Sequence, residues 1–410
     1  MDTLIKTDTN IINTYARFQK VFVSGNACVL KDEDNNSYID FLAGIAVCSL
    51  GHSHPKITRA ISDQAAKLLH VSNLFYTQPQ AELASLLVEK SFADKVFFAN
   101  SGAEANEAAI KLARRYFNKK GRKNKFKIIT MEQSFHGRTM ATLSATGQDK
   151  IKQGFEPVLD GFLHLPFNDI NSVKKCIEQN FDKDSNTTEI CAIMLEPVQG
   201  EGGVIPAEYN YLKDIRKICN DNDILLIFDE IQTGMGRCGK LFAHEIYDIE
   251  PDIMTLAKAL GNGLPVGAML ASKKVKSGFD FGSHGSTFGG GPLVASAGIE
   301  VIKIISNPDF LKDVREKGEY FKQNLVLLKD KYDFIKDVRG KGLLLGIEFD
   351  TKDNNGKDAD NIVKQCMEQG FIINAIQGKI LRFAPPLIIT KQEIDKLIDC
   401  LNNIFAGKNP

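Results

Sequence analysis

KVFFANSGAEANEAAIKLARRY, residues 95–116, changes its period in the middle. Val96, Phe97, Phe98 and Ala99 form an unbroken apolar run, as in a strand buried on both faces. Ala105, Ala108, Ala109, Leu112 and Tyr116 then recur at helical spacing. Between the two lies Asn100-Ser101-Gly102-Ala103-Glu104. Small residues there let backbone N–H groups approach a ligand, and a helix N-terminus adds partial positive charge, so the junction can hold a phosphate. The same residues also read as an ordinary N-cap with a glycine turn.

The alternation continues on both sides. Apolar runs at 127–131, 190–195, 224–228, 253–256 and 268–271 read as strands, with helical patterns between several of them, including 210–222. This predicts an α/β fold whose large domain is a mainly parallel, doubly wound sheet. Near residue 300 the pattern changes. A long helix at 308–332, strands at 335–339, 343–349 and 381–384, and helices at 358–369 and 392–405 predict a smaller α+β domain. Ile394, Leu397, Ile398, Leu401 and Phe405 share one stripe of the last helix, which reads as core. Strands are also expected at 28–31 and 37–41, around the polar turn Asp32–Asn36. The expected division is residues 1–60 as an N-terminal segment packing with the small domain, 61–300 as the large domain and 301–410 as the small domain.

Composition narrows the function. The 410 residues are 43% hydrophobic and 25% charged, with 51 basic against 51 acidic side chains. A soluble globular protein with a real core is expected, without the basic excess of a nucleic-acid binder. No apolar run approaches membrane-spanning length. The N-terminal stretch has neither a secretory nor a transit pattern, and the eight scattered cysteines read as reduced thiols rather than disulfides or a metal site. A cytoplasmic location with no metal is the expectation.

Polar residues fall where a doubly wound sheet binds its ligands, beyond the carboxyl ends of strands. Asp229 ends one apolar run, and a buried acid needs a partner. Lys258 follows another among apolar neighbours, where burial would lower its pKa and make its amine nucleophilic. Phe135, in Ser134-Phe-His-Gly-Arg138, can stack on a flat ring or anchor the core; His136 reads as structural. Each group has a plain structural reading by itself. Together, a phosphate cup, an acid, a stacking aromatic and an activated lysine match what pyridoxal 5'-phosphate requires.

At this point the chain resembles a family. NSGAEANEAAIKLAR (100–114), SFHGRT (134–139), EPVQGEGGV (196–204), FDEIQTGMGRCGKLFA (228–243), LAKALGNGLPVGA (256–268), HGSTFGGGPL (284–293), VRGKGLLLGIE (338–348) and LRFAPPLIIT (381–390) look like class III aminotransferases, fold-type-I pyridoxal phosphate enzymes. The resemblance implies that Lys258 carries the cofactor and moves protons. Asp229 would pair with its ring nitrogen, Gln232 with its phenolic oxygen and Phe135 with its face. Ser101, Gly102 and Ala103 would hold its phosphate. Thr287 would reach the phosphate of a neighbouring subunit, which implies a homodimer with shared active sites, and Ser286 would lie near substrate. Arg382 would bind the α-carboxylate of 2-oxoglutarate or glutamate, Glu201 would pair with Arg382 when the other substrate is bound, and Arg138 would take the donor's carboxylate.

Within the class, the chain is most similar to members that act on N2-acetyl-L-ornithine in arginine biosynthesis. Ile45 stands where ornithine-specific relatives have a tyrosine, and an apolar residue suits an acylated amine. Alternative donors are succinylornithine, succinyl-diaminopimelate, ornithine and 4-aminobutyrate. Two further readings are a nicotinamide oxidoreductase resting on Gly340-Lys-Gly342, and a non-catalytic pyridoxal phosphate binder.

Overall fold

The computed structural model describes residues 3–183, 186–350 and 358–407. Met1, Asp2 and residues 408–410, at the two ends of the expected division, lie outside the described residues.

Seven strands form the central sheet, in the spatial order Lys95–Ala99, Gly267–Ala271, Ile253–Leu256, Leu225–Asp229, Ile190–Leu195, Lys127–Met131 and Phe162–Leu165. Gly267–Ala271 runs antiparallel to both neighbours, and the other pairings are parallel. The period-two side-chain alternation sorts the apolar strands onto two cores. Leu225 and Ile227 join Cys191, Ala192 and Met194 against the helix Gly102–Lys119 on one face. Leu226 and Phe228 join Ile190, Ile193 and Leu195 against the helices Ile170–Gln179 and Tyr209–Asp221 on the other. Both faces are covered, which is why these strands read as continuous apolar runs.

The parallel strands all point their carboxyl ends to one edge. Asn100, Glu132, Glu196, Asp229 and Ala257 therefore lie on that edge.

Two further four-stranded sheets flank this body. One runs in the order Ile335–Lys341, Leu344–Phe349, Ile380–Phe383, Asn374–Ile376, with every pairing antiparallel. Gly340 and Gly342 sit where the first two of its strands meet, and no helix follows them, so the nicotinamide reading fails on its own requirement of a strand-to-helix turn. The other sheet joins Phe22–Asn26, Val29–Asp32 and Ser37–Asp40 to Phe371–Ile372, which pairs parallel with Ser37–Asp40. Chain segments over 300 residues apart thus meet in one sheet. The helices Pro308–Lys331 and Lys391–Phe405 pack over this end through Phe321, Leu325, Ile394, Leu397 and Leu401. Among the described residues no helix is long and apolar enough to cross a membrane. All eight cysteines are free thiols.

Candidate active site

A cavity of about 450 Å³ opens at the carboxyl edge of the central sheet, a volume typical of small-molecule sites. Ser101, Gly102, Ala103, Phe135, Arg138, Glu201, Asp229, Gln232 and Lys258 all line it. Nine of the twelve residues singled out from sequence therefore share one wall-to-wall space.

The cup is built by the 18-residue helix Gly102–Lys119. Ser101 caps it, its Oγ accepting from Glu104 N at 3.2 Å. That leaves the first-turn N–H groups of Gly102 and Ala103 without intrahelical partners, facing the cavity that both residues line. Gly102 is there for space, because a Cβ would stand 2.8 Å from Ile231 Cδ1.

Asp229 is buried, with partners on both oxygens. Oδ2 accepts from Asn106 Nδ2 and shares a hydrogen bond with His136 Nδ1, both at 2.8 Å, and Oδ1 accepts from Ile231 N at 3.1 Å. Asn106 is oriented in turn by Thr255 Oγ1 at 2.7 Å. His136 was read from sequence as structural, and neither it nor Asn106 stands out locally. Folding brings them onto the one acid that needs them. Glu196 lines the same cavity, accepting from Phe135 N and Gly200 N at 3.1 and 3.0 Å. Burial pushes its carboxyl up to about 7, with His136 opposing and Asp229 adding to the rise.

Lys258 opens a short 3-10 turn directly after Ile253–Leu256 and has φ +42°, a left-handed conformation that L-residues avoid. Desolvation pushes its ammonium down to about 8; the Arg382 charge adds to this, and Glu201, Asp229 and Glu196 oppose it. Near neutral pH a useful fraction of this amine is therefore unprotonated and nucleophilic.

Arg382 comes from the strand Ile380–Phe383 of a different sheet and is 1% exposed. Its Nη1 donates to Glu201 Oε1 at 2.5 Å and its Nε to Asn374 Oδ1 at 3.2 Å. Burial raises the Glu201 carboxyl pKa, but the charge and hydrogen bond of Arg382, helped by Lys258 and Arg138, outweigh it and hold Glu201 below its ordinary value. Arg138 differs. It is exposed at the rim with its guanidinium 5.7 Å from the Phe135 ring centre, and among the described residues no carboxylate is paired with it. Ser286 stands behind the cup, its Oγ accepting from Asn100 Nδ2 at 3.1 Å and from Gly289 N at 3.0 Å. Thr287 is exposed and does not line the cavity.

Ile45 is not a lining residue either. It is exposed, in a single left-handed turn in which Ala43, Gly44, Ile45 and Ala46 all have positive φ. Such a turn costs roughly 1 kcal/mol for each residue with a side chain. Val47, next after the turn, does line the cavity.

These groups fit pyridoxal phosphate. The cup offers donors to an anion, buried Asp229 faces a site for a protonated ring nitrogen, Phe135 supplies an aromatic face, and Lys258 supplies an amine of depressed basicity for its carbonyl carbon. Among the described residues no three His, Cys, Asp or Glu side chains group as a metal site.

Residues 13–405 match the family model "Aminotransferase class-III". An acetylornithine aminotransferase of Caldanaerobacter subterraneus subsp. tengcongensis is 48% identical over 396 residues, covering 97% of each chain. Among solved structures, an N-acetylornithine aminotransferase of Stenotrophomonas maltophilia is 37% identical with TM-score 0.82, covering 96% of this chain and 97% of that one. An ornithine aminotransferase of Toxoplasma gondii superposes with TM-score 0.92 at 30% identity, covering 98% and 94%.

Proposed function

The chain belongs to the class III aminotransferases, fold-type-I enzymes that use pyridoxal phosphate, and on that premise we propose that it transfers the δ-amino group of N2-acetyl-L-ornithine to 2-oxoglutarate. The products are N-acetyl-L-glutamate 5-semialdehyde and L-glutamate, and the step belongs to arginine biosynthesis. The observation that carries this reading is the 48% identity, over nearly the whole chain, to an enzyme named for acetylornithine. The ornithine enzyme matches the fold as well but the sequence much less, at 30%.

When bound, pyridoxal phosphate supplies an electrophilic carbon for amines and a ring that accepts the electron pair left at the substrate carbon. The protein's residues do the rest. Lys258, unprotonated above about pH 8, takes the proton from the substrate carbon and returns one on the other side of the exchange. Asp229 would hold a positive ring nitrogen, and His136 and Asn106 fix its carboxylate in place. Gln232 would bond the phenolic oxygen, Phe135 would cover the ring, and Ser101, Gly102 and Ala103 would hold the phosphate.

The two arginines divide the substrates. Arg382 grips the 2-oxoglutarate carboxylate through its planar fork, and Glu201 neutralises it while the donor occupies the site. Arg138, exposed at the rim, takes the donor's carboxylate. Donor and keto acid therefore use one site in turn, a ping-pong order.

The working unit is a homodimer in which Thr287 completes the phosphate site of a second copy. Support comes from an apolar surface beside it: Leu74, Phe75, Tyr76, Phe281 and Phe288 are all exposed, and Asn73 Nδ2 bonds Ser286 O at 2.9 Å. A cytoplasmic location accords with the eight free thiols.

The test is glutamate formation from 2-oxoglutarate with a panel of amines. N2-acetylornithine should give the highest kcat/KM, with parallel double-reciprocal lines. A clear preference for ornithine or 4-aminobutyrate would refute the donor assignment.

A further inference from the structure

The loop that carries Val47 to the cavity is held by residues that never touch the cavity. Asp40 ends the strand Ser37–Asp40, and its Oδ1 accepts from Leu42 N at 2.8 Å and Ala43 N at 2.7 Å. Its Oδ2 bonds His52 Nε2 at 2.8 Å. His52 lies past the far end of the loop and is tied by backbone hydrogen bonds in both directions to Ala27. One buried carboxylate thus clamps the entry of the left-handed turn to the chain beyond its exit.

A second hold comes from the lysine loop. Asn262, four residues after Lys258, has φ +44°; its Oδ1 accepts from Leu50 N at 2.7 Å and its Nδ2 donates to Gly51 O at 3.3 Å. A third comes from fully buried Arg237, which donates to Ser49 Oγ at 3.0 Å and to the Leu343 and Pro385 carbonyls. The turn itself is strained, and a strained turn persists only where its surroundings over-determine it.

We propose that Asp40, His52 and Asn262 are positioning residues for donor specificity: they hold the strained turn 43–46 so that Val47 forms an apolar wall of the cavity. The chemistry makes the effect selective. An acylated amine carries an apolar group that gains from such a wall, whereas 2-oxoglutarate is anchored by carboxylates and offers no such group. Loosening the loop should therefore weaken the donor and spare the acceptor. This inference rests on the acetylornithine reading above, and its test separates the two.

Asn262→Gly is the cleaner variant, because glycine keeps the left-handed backbone and deletes only the two loop contacts. Asp40→Asn removes the charge while keeping the shape. In a ping-pong enzyme kcat/KM for each substrate is measured independently of the other. In both variants kcat/KM for N2-acetylornithine should fall about tenfold, the scale set by a lost apolar contact, while that for 2-oxoglutarate stays within about twofold. Amide exchange at Leu42, Ala43 and Leu50 should quicken in parallel. Equal losses on both substrates would overturn the proposal in favour of general damage, and unchanged kinetics or unchanged exchange would overturn it outright. Wild-type protein that ignores N2-acetylornithine would sink the donor assignment instead; the exchange measurement would still decide whether these residues hold the loop.

Discussion

Asp229, Lys258, Ser101 and Phe135 follow closely on strands of one sheet and face the cofactor region of the cavity. Arg382 arrives from a second sheet, Arg138 stands exposed at the rim, and Val47 hangs on a strained loop of the N-terminal segment. The first group is set by the strands themselves, with buried Asp229 held in turn by Asn106 and His136. The second converges from three places and depends on the packing between them. On the proposed reading, chemistry common to both substrates falls to the strand-set group, and discrimination between them falls to the composite group. Substitutions on the cofactor side should then hurt both half-reactions alike, and substitutions on the substrate side should split them.

Lys258→Ala should show the largest effect, a loss of at least about 10⁴-fold in turnover with either substrate. Single-turnover rates for donor and acceptor check it, and near-normal turnover in this variant would remove the lysine from the mechanism. Arg382→Lys keeps the charge but loses the fork, and should lower kcat/KM for 2-oxoglutarate by roughly 10²-fold while affecting N2-acetylornithine much less. Equal losses would break the division between the two sides.

The cofactor side also carries a pH signature. Desolvation depresses the Lys258 pKa to about 8, so the neutral amine gains population as pH rises toward that value. The rate at which cofactor-free protein captures pyridoxal phosphate should climb roughly tenfold per pH unit below about 8 and level off above it. An ordinary lysine would still be climbing two units higher. The smallest effect expected is for Gly102→Ala, whose Cβ would meet the Ile231 side chain rather than backbone. The dissociation constant of the cofactor should rise about tenfold or less, with the donor-to-acceptor ratio of kcat/KM unchanged.

The same contrast explains what could be read from the sequence. The five strands of the cofactor side are apolar runs with a polar residue one or two positions beyond, and both features are local; the observed boundaries lie within one residue of those read at 95–99, 127–131, 190–195, 224–228 and 253–256. The edge strand Phe162–Leu165 and the strand Phe22–Asn26 were not visible, because neither is fully buried and so neither has a continuous apolar run. The parallel pairing of Phe371–Ile372 with Ser37–Asp40 joins distant segments, and no local period encodes it. At the site, residue types were legible and contacts were not. His136 and Asn106 look unremarkable until the fold places both on Asp229. Ile45 reads as the apolar residue suited to an acylated amine, yet in the left-handed turn it is exposed, and Val47, two residues on, lines the cavity instead.

The central claim is that one cofactor, held at Lys258, passes an amino group from N2-acetylornithine to 2-oxoglutarate. The most direct test is the visible absorbance of purified holoenzyme. Addition of N2-acetylornithine alone should abolish the band of the lysine-bound cofactor, and subsequent 2-oxoglutarate should restore it. A spectrum indifferent to N2-acetylornithine would contradict the account.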